Sequence, residues 1–369
     1  MTIYCLFLTN FGVSLSGRLE LAMNYRKQCF AIVLALSILP TALFSQTNRD
    51  RPVIVGSSTV YPLAQKVGQQ FSENTGMPAP EIKSTGTGGG MKLFCEGIGP
   101  QTPDIVNASR PIKSSEVELC AKNGVNEIID VTVGYDAIVV VRAATASKQL
   151  NLTLKELFLA LAKDVPDPQG GTKLVPNPYQ NWKDINPELL DQKIKAWGPN
   201  STHGTHDLIL NNLMSVGCQQ LEVMQTLEKA NPADFKTVCQ TFRQDGAYTE
   251  HEEYEKILEA VKSDSEAIGI VGYLFLVNDP GLQASDIEGV LPSFGSIAYN
   301  IYPLTRPLRF YLKKAHIDVI PGLREFVAEF TSEQAWGASQ GYLVELGMVP
   351  MPRSKRELAK ANFEELKPL

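Results

Sequence analysis

The sequence predicts an α/β fold of two lobes with a ligand cleft between them, and three observations carry that prediction. Short β-like runs alternate with amphipathic helical stretches along the chain. Successive strand ends empty into Gly, Ser or Thr turns, and two of these open a helix. Two long β-rich stretches, residues 128–142 and 298–312, are placed to carry the chain out of one lobe and back. At 369 residues the chain has the length of two ordinary domains. Its 44% hydrophobic and 20% charged residues exclude a disordered, collagenous or coiled-coil chain. The balance of 34 basic and 40 acidic residues, net −6, argues against a nucleic-acid partner. Any bound anion must therefore be held by a local site against the overall field.

The elements follow in order. Residues 1–22 look foreign to what comes next, and Met23 is the expected natural start. Residues 23–45 read as a signal peptide. Arg26 and Lys27 precede the apolar run Phe30–Leu39, Pro40 stops it, and small residues lead to a cut after Ser45. Ten apolar residues are too few to span a bilayer, and no other stretch comes closer, so a soluble periplasmic protein is expected. Cys29 lies before the apolar run, which argues against a lipid anchor. Cleavage removes three basic residues (Arg18, Arg26, Lys27) and one acid (Glu20), leaving the mature chain more acidic.

Val53–Val55 reads as a buried strand. The helix after it carries Val60, Leu63, Val67 and Phe71 at spacings of three or four and stops at Gly76. Glu81–Ser84 is the next strand, followed by a Gly-rich loop and a helix around Met91–Cys95. Asp104–Ala108 is a third strand. Residues 128–142 are too long for one local strand and fit a crossover. In the second block, Leu154–Leu161 is a helix, residues 162–187 a surface excursion rich in turn residues, Trp197–Thr205 a loop before a helix from His206, and Ala267–Tyr273 a strand. Residues 298–312 return the chain, and helices at Pro321–Phe330 and Glu333–Val344 finish it. The expected lobes are 46–140 with 298–369, and 141–297.

After the leader, Cys95, Cys120, Cys218 and Cys239 remain. An even number in an exported chain favours disulfides, with three connectivities open. The neighbouring pairs, Cys95–Cys120 and Cys218–Cys239, keep each bridge inside one lobe. No CxxC or HxxxH spacing supports zinc.

A strand that runs into a Ser/Thr/Gly turn and a helix N-terminus makes an anion site. The first-turn N–H groups lack intrahelical partners, and hydroxyls can donate beside them. One such turn is an ordinary cap. Here there are three: Ser57–Thr59, Thr85–Gly90 and Ser201–Thr205. Neither Gly-rich loop fits a nucleotide motif.

These residues resemble a known family, the PstS-type phosphate-binding proteins of bacterial phosphate ABC transporters. The matching pieces are GSSTVYP (56–62), STGTGGGMKLF (84–94), DIVNASRPI (104–112), GPNSTHGTHD (198–207), FRQDGAY (242–248), AIGIVGYLFL (267–276) and YPLTRPL (302–308). They stand in family order over nearly the whole mature chain. The resemblance implies a class II periplasmic-binding fold that closes on one dehydrated phosphate and delivers it to an inner-membrane ABC permease. It implies phosphate contacts from Thr59, Val60 and Tyr61, with Ser58 beside them, and from Thr87, Gly204 and Thr205. Arg110 stands where members carry a carboxylate or a base. Two positions depart from the pattern: His203 replaces the serine of the family's SGT turn, and His206 replaces an arginine. An imidazole can donate to an anion, with a charge that depends on pH. No third ligand accompanies this pair, so neither a metal nor a cofactor is expected, and a monomer is.

Near neutral pH phosphate keeps a proton and sulfate does not, so a carboxylate acceptor in the cleft would select phosphate. With Arg110 at the family's carboxylate position, the candidates are Asp245, beside Arg243, and Asp207, which is also well placed as a first-turn helix acid. Other readings are a binder of sulfate, molybdate or tungstate, and an exported phosphatase. The string Gly337–Gly341 matches a hydrolase GxSxG around Ser339, yet helix-like residues precede it where that motif needs a strand. A Thr331–Gln334 capping box is expected there.

Overall fold

The computed structural model describes residues 49–148, 150–338 and 341–369. The expected leader, the stretch before it and Ser339 lie outside the described residues.

The short strand β1 (Val53–Gly56) shows how the sequence builds a central sheet. Ile54 joins one buried cluster and Val55 the other, so both faces of the strand are covered. β2 (Glu81–Ser84) and β3 (Ile105–Ala108) flank β1 in parallel. The Tyr61–Thr75 helix begins with Pro62 in its first turn and ends where Gly76, at φ 71°, donates its N–H to the Ser72 carbonyl. Its buried face, including Leu63, Val67 and Phe71, covers one side of the sheet. Phe71 meets Phe326 of the Leu323–Phe330 helix edge-on, with ring centres 6.1 Å apart.

The Gly86–Phe94 helix covers the other side and starts five residues earlier than expected. The glycines are its first turns rather than a loop. A Cβ on Gly90 would lie 2.5 Å from the Gly56 Cα, so glycine is what lets this helix cross the end of β1. That close approach outweighs the poor helix propensity of glycine.

β4 (Ile128–Ala143) is a single strand of 16 residues that changes partners along its length. Residues Ile128–Ala137 pair antiparallel with β11 (Thr305–Lys313), and Ile138–Val141 pair antiparallel with β9 (Ile268–Gly272). β9 continues in parallel to β7 (Ala196–Pro199), and β7 to β8 (Tyr248–His251). Among the described residues the full order is β2-β1-β3-β11-β4-β9-β7-β8, with β10 (Leu282–Ala284) also on β4. Two parallel halves are thus joined through antiparallel β4 and β11, the two crossings read from the sequence.

Several boundaries differ from expectation. Trp197–Pro199 is strand, because pairing with β8 and β9 uses its backbone, and the helix that follows starts at Gly204 rather than His206. Ala298 ends a helix, and the returning strand begins only at Thr305; between them Tyr302 and Leu304 are buried. The late helix starts at Leu323 behind Gly322 at φ 75°, and its successor covers only Glu333–Trp336. The cap there is Ser332, whose hydroxyl accepts the Ala335 N–H, one residue beyond the expected box. Residues 162–187 hold the hairpin of β5 (Asp164–Pro166) and β6 (Leu174–Pro176) and a short helix anchored by fully buried Trp182.

Both neighbouring disulfides form, Cys95–Cys120 and Cys218–Cys239. No helix among the described residues is long and apolar enough to cross a membrane.

Candidate functional site

A cavity of about 440 Å³ opens where the turns after β1, β2 and β7 meet. Ser57, Ser58 and Thr59 reach it from the start of the Tyr61–Thr75 helix, and Gly86, Thr87 and Gly88 from the first turn of the Gly86–Phe94 helix. Gly204 and Asp207 reach it from the helix that begins at Gly204 and runs on through Gln219. Three helix N-termini therefore converge on one space, each with first-turn N–H groups that need partners and a positive dipole end. Around them stand Ser109, Arg110, Lys113 and Arg306.

The hydroxyls are oriented. The Thr87 Oγ1 accepts the Ser109 N–H at 3.2 Å, and the Thr59 Oγ1 accepts an Nη2–H of Arg306 at 2.8 Å. A hydroxyl has one hydrogen. With the Thr59 oxygen serving as acceptor to Arg306, its hydrogen is the part left to offer a ligand; the Thr87 Oγ1 also lies 3.3 Å from the Ser109 Oγ, and either of these two hydroxyls can donate to the other. The first and third turns nearly touch: a Cβ on Gly204 would lie 2.7 Å from the Thr59 Oγ1. Glycine is what permits this approach.

The charges divide into spent and unspent. Arg110 grips Glu116 with both terminal nitrogens, at 2.9 and 2.7 Å. The Glu116 hydrogen bond raises the Arg110 pKa above its ordinary value. Burial pushes the Glu116 carboxyl up, but bonds from Arg110 and the Lys113 N–H outweigh it and hold the group low. Arg306 is 4% exposed and pairs with Asp136 at 2.8 Å. The Lys113 ammonium makes no hydrogen bond or close ion pair among the described residues, its charge acting on nearby Glu116 from a distance, and the Asp207 carboxylate has no hydrogen-bond or ion-pair partner there; both line the cavity.

Of the residues named from the sequence, Ser58, Thr59, Thr87, Arg110, Gly204 and Asp207 line this cavity together. The others stand elsewhere, each for a physical reason. The Val60 side chain is in the core, so only its backbone faces the turn. The Tyr61 hydroxyl accepts from Gln65 at 2.7 Å. The Thr205 hydroxyl is bonded to Tyr254, whose own pKa burial raises.

His203, expected in place of the family serine, is not among the residues that line the cavity. Its Nε2 bonds the Glu252 carbonyl, and its ring stands edge-on to Tyr254 with centres 4.7 Å apart. His206 pairs with Glu250 at 2.9 Å and packs against Phe242. Asp245 is also outside the cavity lining. Arg243, only 2% exposed, clamps it through Nε at 2.8 Å while donating to the Ala160 and Tyr179 carbonyls. That hydrogen bond holds the Asp245 pKa low. The Arg243–Asp245 pair ties the Phe242–Tyr248 segment to its neighbours.

Sequence reasoning missed Arg306, Asp136 and Lys113. The available signal was a charged residue inside an apolar strand: Asp136 in GYDAIVVV and Arg306 in YPLTRPL.

Comparison with known proteins supplies the family. A profile described as "PBP superfamily domain" matches residues 45–334. The chain belongs to the PBP superfamily. It is 28% identical over 348 residues to Protein SphX of Synechocystis sp., covering 90% of each chain. It is 24% identical over 317 residues to the phosphate-binding protein PstS of Staphylococcus saprophyticus, covering 84% of this chain and 83% of that one. Among solved structures, a possible phosphate binding protein from Planctomyces limnophilus aligns with a TM-score of 0.65 at 24% identity, over 86% of this chain and 98% of that one. An ABC-type phosphate transport receptor from Vibrio cholerae aligns at 0.56 and 20% identity, over 82% and 100%. The fold class expected from the sequence, mixed α/β of the periplasmic-binding type, is the one found, and the resemblance to PstS-type proteins stands.

Proposed function

We propose that this PBP-superfamily chain is an exported solute-binding protein that captures inorganic phosphate and delivers it to an ABC permease in the inner membrane. The observation that carries the reading is the convergence of three helix N-termini and two threonine hydroxyls on one cavity, which Lys113 and Asp207 also line. Binding at micromolar affinity needs about 8 kcal/mol. Several hydrogen bonds to a charged group, at about 1.5–3 kcal/mol each, supply that without a metal. The relatives named for phosphate support this choice of anion.

On this reading Ser58, Thr59, Thr87 and the backbone at Val60 and Gly204 donate to phosphate, with Lys113 adding charge. Asp207 takes the role sought from the sequence: its carboxylate accepts the phosphate proton and repels an anion that has none. The lobes 46–140 with 298–369, and 141–297, close on the ligand. His203 and Thr205 shape the turn that carries Gly204, and Asp245 braces the Phe242–Tyr248 segment outside it.

Replacing Asp207 by Asn tests the assignment through selectivity. Asp207→Asn lifts the repulsion of sulfate, so competition titration should show the phosphate-to-sulfate preference fall by about tenfold or more, the size of one lost charge-assisted contact. An unchanged preference would remove Asp207 from the site.

A further inference from the structure

We propose that Arg306 is a positioning residue that makes Thr59 an anion donor and ties the first and third turns of the site together. This rests on the reading of the cavity as an oxyanion site. Arg306 lies on β11 directly opposite Asp136 on β4. Its Nε and Nη2 reach the Asp136 Oδ2 at 3.2 and 2.8 Å, so the buried guanidinium has its counter-ion. The same Nη2 donates to the Thr59 Oγ1 at 2.8 Å, and Nη1 approaches the Gly204 carbonyl at 3.5 Å. One side chain on a joining strand thus touches both turns that would hold the anion.

The chemistry of the contact fixes the direction of the Thr59 hydrogen. A guanidinium has five N–H donors and no acceptor, so the threonine oxygen can only accept from it. The hydroxyl hydrogen must go to another group, and none of the described residues takes it. Thr59 lines the cavity, so an anion there is the natural recipient. Accepting from a cation also polarises the hydroxyl and strengthens it as a donor. Because Asp136 occupies the Nε edge, Arg306 acts on the anion through Thr59 rather than by a two-pronged grip of its own.

The test is a double-mutant cycle on phosphate affinity, measured by calorimetry on ligand-stripped protein with folding checked by thermal melts. Arg306→Lys keeps the charge beside Asp136 but lacks the planar fork that serves Asp136 and Thr59 together. Thr59→Val removes the hydroxyl, and Thr59→Ser restores it. Each of Arg306→Lys and Thr59→Val should weaken phosphate binding about tenfold or more. The double variant should be no weaker than Thr59→Val alone, and Thr59→Ser should stay near the wild type. Should Arg306→Lys fail to fold, Arg306→Gln with Asp136→Asn, which removes both charges at once, takes its place in the cycle. Effects that multiply in the double variant, or a charge-keeping variant with wild-type affinity, would overturn this inference alone. Wild-type protein that binds no phosphate would overturn the proposed function and this inference with it.

Discussion

Two threonines at the cavity, Thr59 and Thr87, show how single residues turn an ordinary cap into a ligand group. Each hydroxyl oxygen accepts from the protein; the Thr59 hydrogen is what remains to donate, and Thr87 shares a hydrogen bond with the Ser109 hydroxyl at 3.3 Å that a ligand can join. Thr87→Val should weaken phosphate binding about tenfold, read by titration, while leaving the melting temperature within a few degrees of wild type. Lys313 illustrates a different consequence of burial. It is fully buried, donates to the Gly97 carbonyl at 2.6 Å and the Thr102 hydroxyl at 2.8 Å, and lies 5.0 Å from the Phe94 ring centre. Burial pushes its pKa down to about 8, with Asp104 opposing. Between that value and the ordinary 10.5 the unfolded chain binds more protons than the folded one, so this residue makes stability rise with pH across that window. The rise is at most about 3 kcal/mol. Chemical denaturation at pH 8 and pH 10 should show it in the wild type and not in Lys313→Met, and the comparison cancels the tyrosines that titrate in the same range. Equal slopes in both proteins would contradict it.

Elements were legible where their signals are local. The first helix ends where its sequence says it should, at Gly76, a stop signal that sits within the segment itself. The neighbouring pairing, one of three connectivities the sequence leaves open, is the one that forms. What was not legible depends on partners far along the chain. The Gly86–Phe94 helix starts early because Gly90 meets Gly56, a contact that propensity opposes. The place of His203 in its turn suggests a ligand, but its ring is taken by the Glu252 carbonyl and Tyr254. Arg306 and Asp136 lie 170 positions apart and meet only through β4–β11 pairing. The bridge Cys218–Cys239 joins the helix running from Gly204 to the Pro232–Cys239 helix. A loop-entropy argument gives it about 3 kcal/mol. Replacing both cysteines by alanine should lower stability by roughly that much in denaturant titration, with the cavity and its affinity retained.

At the scale of the molecule, β4 is the feature on which the site depends. Its first part pairs with β11 and its second with β9, so the turns after β1 and β7 belong to different halves of one sheet yet meet at Thr59 and Gly204. A ligand held by both turns favours the arrangement in which they touch, and binding should shift the population toward it. Small-angle scattering should therefore show a smaller radius of gyration with phosphate than without. Gly204→Ala, which would set a methyl 2.7 Å from the Thr59 Oγ1, should blunt that change and weaken binding. The decisive measurement is calorimetric titration of ligand-stripped protein with phosphate, sulfate and molybdate at pH 6 and pH 8. Tight one-to-one phosphate binding with sulfate and molybdate excluded is the expected result; His203 and His206 are bonded to Glu252 and Glu250 and are not among the residues that line the cavity. Absence of phosphate binding, or a preference for sulfate or molybdate, would contradict the proposed function.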